Sequence, residues 1–312
     1  MQIIDAATTR RLLAFTPLID ALRRLFASGC EVPLRHTHAI ADAGTLLLMP
    51  AWRAGARLGL KTVTIFPGNS ARGLPGLHST YLLFDATTGV PLAQLDGDEI
   101  TSRRTAAASA LAASFLARPA AHRLLVVGTG RVAALVPEAM RAVRPIDEIV
   151  VWNHRPASAR ALAATLCQAG FAARATDDLA QAAAQADIVS CATLSTAPLI
   201  RGEWLRAGAH LDLIGSFTPQ MCEADAACFA RSRVFVDTPE ALAKSGDVLR
   251  AIEAGAFEVG QLQGTLAELC RGERPGREGD TDVTLFKSVG TALEDLAAAE
   301  LVFDAAAADS VS

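Results

Sequence analysis

An alternation that starts near residue 122 constrains this chain most. Short, continuous apolar runs at 122–127, 148–152, 186–190, 210–214 and 233–237 read as buried strands. Helical stretches at 131–143, 156–169 and 178–185 separate them. Strand and helix alternating at this spacing imply a parallel sheet with right-handed crossovers. The first turn of the array reads Gly128-Thr129-Gly130-Arg131-Val132-Ala133, after a strand and before a helix. Gly128 permits the tight turn, Gly130 lets backbone approach a pyrophosphate, and Ala133 keeps helix and strand close. The helix N-terminus offers free N–H groups and a positive dipole to phosphates. Alone the glycine pattern is weak evidence; at a strand–turn–helix junction it points to a dinucleotide. Pro137 falls inside this helix, where a local kink is expected.

The tip of the second strand bears on which dinucleotide. An acid there bonds the ribose 2′-hydroxyl of NAD. Here the strand ends Trp152-Asn153-His154-Arg155-Pro156. Asn153 can bond the 2′-oxygen, and His154 and Arg155 can meet a 2′-phosphate. The reading favours NADP(H), with NAD(H) the alternative; ordinary solvated loop residues would look the same.

The first third has a different texture. Residues 17–27 place Leu18, Ile19, Leu22, Leu25 and Phe26 at helical spacing, and β-like runs follow at 45–49, 58–66, 80–85 and 91–95. The last two form a hairpin around Thr87-Thr88-Gly89. Thr101 reads as the N-cap of an Ala-rich helix over 102–117. Near the other end, 271–280 is a polar Gly/Pro loop, 284–286 a strand, 289–299 a helix and 305–312 a frayed tail. Two domains follow for 312 residues.

Composition narrows the function. The chain is 51% hydrophobic and 20% charged, which excludes a disordered chain, a collagen or a small disulfide scaffold. With 29 basic against 33 acidic residues and a net charge of −4, it lacks the basic stripe of a nucleic-acid binder. No apolar run is long enough for a membrane span. The first eleven residues contain Asp5 and no apolar signal core, so a cytoplasmic protein is expected. The six cysteines, at 30, 167, 191, 222, 228 and 270, have neither C-x-x-C nor zinc-site spacing. His36 and His38 have alternate spacing with no third ligand nearby, so no metal is expected. Only three lysines occur, Lys61, Lys244 and Lys287. Lys61 shares a strand face with Val63 and Ile65, an expensive place for an ammonium unless it meets an anion. Arg104 lies near the expected start of an apolar helix, where the dipole disfavours a cation. A structural ion pair with an acid such as Asp96 or Asp98 would explain either oddity; so would an anionic ligand.

Five segments, 59–69 (GLKTVTIFPGN), 101–113 (TSRRTAAASALAA), the Gly128-Thr129-Gly130 turn, 186–200 (ADIVSCATLSTAPLI) and 287–295 (KSVGTALED), resemble the ornithine cyclodeaminase/mu-crystallin family over nearly the whole chain. The resemblance implies an α/β fold: a Rossmann-type parallel-sheet domain over 119–289, plus a discontinuous α+β substrate and dimerisation domain made of 1–118 with 290–312. It implies a homodimer with a small-molecule substrate in the crevice. Substrate contacts fall on Arg35, Lys61, Arg104 and Val289, with Lys61 and Arg104 catalytic. Cofactor contacts fall on Thr80, Arg104, Ala192, Thr193, Ser216 and Ser288, beside the glycine turn and second-strand tip. Cys191 is then a packing residue. Members that release ammonia carry a catalytic Asp after a Gly-Gly pair; the matching run here is Ile214-Gly215-Ser216-Phe217-Thr218-Pro219. Phe217 cannot transfer protons, and the next acids, Glu223 and Asp225, read as structural. The run looks closest to the branch that reduces Δ1-pyrroline-2-carboxylate and related cyclic imino acids. An ornithine cyclodeaminase using bound NAD, and a non-catalytic binding protein, are the alternatives.

Overall fold

The structure, a computed structural model, describes residues 1–309, with the backbone alone at Ser70. The chain opens with β1 (Gln2–Ile4), α1 (Ala6–Leu12) and α2 (Phe15–Ser28). Then follow β2 (His36–Ile40), β3 (Gly44–Trp52), β4 (Arg57–Ile65), β5 (Leu77–Asp85), β6 (Pro91–Asp96) and α3 (Gly97–Leu116). The alternating region comprises β7 (Arg123–Val127), α4 (Arg131–Arg141), β8 (Glu148–Trp152), α5 (Pro156–Gln168), β9 (Ala173–Ala175), α6 (Leu179–Gln185), β10 (Ile188–Cys191) and β11 (His210–Leu213). It continues through α7 (Ala226–Ala230), β12 (Arg233–Val236), α8 (Ala241–Lys244), α9 (Gly246–Glu253), β13 (Gly264–Thr265), α10 (Leu266–Arg271) and β14 (Thr284–Lys287), and the chain ends in α11 (Ala292–Asp309).

Two compact units result, one of residues 1–104 with 291–312, the other of 105–290. The first is built on a six-stranded mixed sheet ordered β1-β6-β5-β4-β3-β2, antiparallel except that β1 runs parallel to β6. Strand alternation turns Met49, Ala51, Val63, Tyr81, Leu83, Ala93 and Leu95 to one buried face. α11 packs on β3, β4 and β5 of this sheet and against α2, whose Leu18, Leu22, Leu25 and Phe26 are buried at helical spacing.

The second unit is an eight-stranded parallel sheet ordered β13-β12-β14-β11-β10-β7-β8-β9. Its central strands are buried on both faces, so they read as unbroken apolar runs in the sequence. The order reverses direction between β7 and β10, and the last strand, β14, inserts between β11 and β12. In such sheets ligands bind outside the carboxyl ends of the strands at this switch point. The α/β class and the Rossmann arrangement are those the sequence implied.

Several local expectations are corrected. α3 begins at Gly97, so Thr101 lies inside it; Asp96 takes the capping role by accepting from the Glu99 N–H at 2.8 Å. The C-terminal helix starts at Ala292 and remains helical to Asp309, so 305–309 is not frayed; residues 310–312 lie outside those described. Pro137 lies inside α4, where the sequence put it, and is buried. The stretch between β11 and β14 holds four short α-helices and a 3-10 turn to which the sequence reading assigned no helix. Among the described residues no helix is long and apolar enough to cross a membrane, and no group of three His, Cys, Asp or Glu could hold a metal ion.

Candidate active site

At the end of β7 the chain turns through Gly128, whose φ of +117° favours glycine. A Cβ there would stand 2.5 Å from the Ala192 carbonyl, so the backbones approach too closely for any other residue. Gly130 caps α4 with no side chain bonded to the helix end, and a Cβ built on it would meet nothing within 4 Å. An uncapped helix N-terminus facing open space, beside a glycine turn at the switch point, fits a pyrophosphate. Ala133 is fully buried. Asn153, at the β8 tip, braces this turn: its Nδ2 donates to Thr129 Oγ1 at 3.0 Å and its Oδ1 accepts from the Arg155 N–H at 2.8 Å. Its amide oxygen is therefore engaged within the fold, while His154 and Arg155 are exposed.

At the carboxyl ends of β10, β11 and β14 lie the other expected cofactor residues of this unit. Ala192 and Thr193 follow β10; the Thr193 N–H and Oγ1 donate to Glu223 Oε1 at 2.7 and 2.8 Å. Ser216 is buried, its hydroxyl donating to the Met221 carbonyl at 2.8 Å. Ser288 is buried, its N–H on the Leu213 carbonyl at 3.1 Å. Val289 donates its N–H to Asp237 Oδ2 at 2.7 Å. Cys191 is buried in the sheet core, and burial first of all drives its thiol far above the ordinary range, the opposite of a nucleophile. Asp225 caps α7 by accepting from the Cys228 N–H at 3.1 Å.

The remaining expected residues, Arg35, Lys61, Thr80 and Arg104, belong to the first unit. Lys61 points from β4 to the covered face and is only 2% exposed. Its Nζ meets Asp295 Oδ2 of α11 at 2.6 Å. Arg104, also buried, gives Nε to Asp295 Oδ1 at 2.9 Å and NH1 to Glu294 Oε2. Two cations and two carboxylates thus share one buried cluster, and Lys61 and Arg104 are brought together from β4 and α3. The acids suggested by the sequence are not those used. Asp98 instead accepts from Ser79 Oγ at 2.7 Å, and Asp96 caps α3. Arg104 stands two turns inside α3, so the dipole argument for its oddity does not apply; burial is the reason it needs acids.

Arg35 is half-buried one residue before β2. Because His36 faces Leu48 and Met49 faces Lys61, the register sets Arg35 level with Lys61, two strands or roughly 10 Å away. Thr80 is half-buried on β5, opposite Thr62 and on the sheet face away from Lys61.

Burial lowers the Lys61 ammonium to about 8; Asp295 opposes that and Arg104 reinforces it. Burial pulls the Arg104 guanidinium down too, but Asp295 and Glu294 outweigh it and the group is held above its ordinary value. Asp295 is kept below the carboxylate range by Lys61 and Arg104, against burial. The acids of α11 thus favour the charged forms of both cations, against burial. Glu294 and Asp295, and the buried Asp247 and Lys287 of the second unit, are site-shaping residues that sequence reasoning missed. The available signal was charge inside an Ala-rich run at 292–299 and one of only three lysines.

The family model for the ornithine cyclodeaminase/mu-crystallin family matches residues 5–310. This chain belongs to that family. It is 39% identical to a Δ1-pyrroline-2-carboxylate reductase of Paracoccus denitrificans over 296 residues, covering 91% of this chain and 94% of the relative. Its fold is similar to that of the Δ1-pyrroline-2-carboxylate reductase of Thermococcus litoralis, solved with NADH and L-proline (TM-score 0.93, 30% identity, 99% and 98% of the two chains). It is also similar to an archaeal alanine dehydrogenase dimer with bound NAD (TM-score 0.92, 29% identity, 99% and 97%). The chain is an NAD(P)-dependent oxidoreductase.

Proposed function

We propose that this enzyme reduces small cyclic imino acids, taking Δ1-pyrroline-2-carboxylate or Δ1-piperideine-2-carboxylate to L-proline or L-pipecolate, and prefers NADPH. The observation that carries the reading is the buried Lys61–Arg104 pair on one acid cluster. Two cations held on carboxylates away from water, with Arg35 level with Lys61, suit a small carboxylate that must be desolvated to bind. In this reading the three cations hold the substrate carboxylate and Val289 packs on the ring. The bound dinucleotide, on the glycine turn and the β10, β11 and β14 ends, supplies a hydride. The ring nitrogen takes its proton from solvent, so orientation provides most of the catalysis. Ammonia release from ornithine needs a positioned proton-transfer group. After Gly215 this chain offers Phe217, 42% exposed and unable to serve.

The name of the Thermococcus litoralis neighbour, with NADH and L-proline, supports the substrate class. That neighbour holds NADH, without a 2′-phosphate; the NADPH preference is proposed on the second-strand tip alone, where no acid stands and His154 and Arg155 are exposed. Residues 1–118 with 290–312 are proposed as the substrate and dimerisation domain, and 119–289 as the dinucleotide domain; the compact units divide nearby, at 104/105 and 290/291. The outer face of the mixed sheet leaves Leu46, Leu48, Trp52, Leu58, Leu60, Leu82 and Phe84 half-exposed, which suits a second copy of the chain. The six free cysteines fit a reducing, cytoplasmic setting. The test of the carboxylate reading compares Δ1-pyrroline-2-carboxylate with Δ1-pyrroline, which lacks the carboxylate. NADPH should be consumed with the first and not the second; equal rates would remove the role assigned to the cations.

A further inference from the structure

Glu223 lies after β11, fully buried, and touches the two loops that leave β10 and β11. Its Oε1 accepts from the Thr193 N–H at 2.7 Å and from Thr193 Oγ1 at 2.8 Å; its Oε2 accepts from the Gly215 N–H at 2.6 Å. The loops meet so closely that a Cβ on Gly215 would stand 2.0 Å from the Thr193 carbonyl and 2.4 Å from Glu223 Oε1. Glu223 is itself anchored from behind. Its N–H donates to Asp247 Oδ1 at 2.6 Å, and Asp247 Oδ2 lies 3.4 Å from the buried Lys287 Nζ. One carboxylate thus ties together two strand ends on the side of the sheet where a dinucleotide binds.

We infer that Glu223 is a positioning residue for the nicotinamide half of the cofactor, holding the Thr193 and Gly215 loops at a fixed separation, with Asp247 and Lys287 fixing Glu223 in turn. The inference rests on the cofactor site proposed above. Both carboxylate oxygens are spent on loop donors, so Glu223 is not placed to touch substrate; its effect passes through backbone. The clamp is strongest in the ionised form, in which both oxygens are free to accept from the Thr193 and Gly215 N–H groups. Burial raises this carboxyl to about 7, Lys287 on β14 opposes the rise and Asp247 on α9 adds to it; the Cys191 thiol of β10 also faces it. The hold therefore weakens as pH falls through that value.

The test titrates NADH and ADP-ribose, which lacks nicotinamide, into the wild-type enzyme and Glu223→Gln. Glutamine keeps the size and one acceptor oxygen but turns an NH2 toward one loop's N–H. The NADH Kd should rise about tenfold, as for loss of one hydrogen bond, while the ADP-ribose Kd stays unchanged. Wild-type NADH affinity should decline as pH falls below about 7, and the variant should not follow it. Unchanged NADH binding, or equal losses for both ligands, would overturn the positioning role. If Glu223→Gln does not fold, Asp247→Asn loosens the anchor behind Glu223 and leaves the expected cofactor contacts in place; it should weaken NADH alone, and no effect would count against the proposal. A wild-type enzyme that binds neither NADPH nor NADH would instead overturn the cofactor reading and the inference with it.

Discussion

At the scale of single residues, Lys61 serves two masters, a carboxylate of its own fold and the proposed carboxylate of the substrate. Removing one partner of a buried ion pair leaves the other uncompensated, which costs about 3–5 kcal/mol. Lys61→Met should therefore lower stability by that order while the Arg104–Asp295 contact remains. Adding Asp295→Asn removes the stranded charge and should recover most of the loss. Turnover of the cyclic imine should stay at least about thirtyfold down in both variants, as for a buried charge pair left incomplete. Denaturant melts beside imine kinetics read the two roles separately; a stable, fully active double variant would reduce Lys61 to an internal ion pair. Arg155 is simpler. Arg155→Ala should narrow the NADPH-over-NADH preference by about tenfold, the worth of one charge-assisted contact. Cofactor titration by fluorescence reads this directly, and an unaltered ratio would take Arg155 out of the 2′-phosphate site. The cations were legible because Lys61 interrupts a strand face and lysine is scarce here. Their partners were not. Asp295 lies 191 residues from Arg104, and no local pattern reports a pairing made only by folding.

Among the elements, the parallel sheet was readable because each central strand is a continuous apolar run between helices, and the glycine turn marks where the first helix begins. Among the elements that escaped are some whose ends are set by side-chain bonds rather than period. α3 starts at Gly97 because Asp96 caps it, more than a turn ahead of the Thr101 cap that the sequence suggested. α7 is five residues long and held by Asp225. One buried group at the foot of β11 should leave its mark on stability. His210 has Nδ1 on Thr284 Oγ1 at 3.0 Å and no partner for Nε2. Burial first, then Arg277 and Arg144, lowers its pKa to about 3. The unfolded chain binds that proton near pH 6.5. Between these values the unfolded state holds more protons, so stability should fall on acidification by up to about 1.4 kcal/mol per pH unit from this group. Asp212 acts in the other sense: burial raises it to about 6, so its contribution is present at low pH and fades as pH rises through that value. Denaturant melts from about pH 4 to 7 should show a shallower acid-side loss in His210→Gln than in the wild type. Parallel curves would mean that His210 is not held neutral.

For the molecule as a whole, the two units divide the proposed work. The mixed-sheet unit carries the cations and the half-exposed outer face offered to a second copy; the parallel-sheet unit carries the glycine turn and the clamped strand ends. The family, and with it the oxidoreductase class, follows from features spread along the entire chain. The narrower claim rests on what the molecule lacks at one point. Reducing a cyclic imine asks for a held carboxylate and an oriented hydride donor, whereas releasing ammonia from ornithine asks for proton transfers as well. The most direct measurement incubates the purified enzyme in parallel with Δ1-pyrroline-2-carboxylate plus NADPH and with L-ornithine plus NAD, following cofactor oxidation, proline and ammonia. This account predicts L-proline with stoichiometric NADPH consumption in the first and negligible ammonia in the second. Ammonia and proline appearing together from ornithine at enzymatic rates would contradict it, and would require another residue to do what Phe217 cannot.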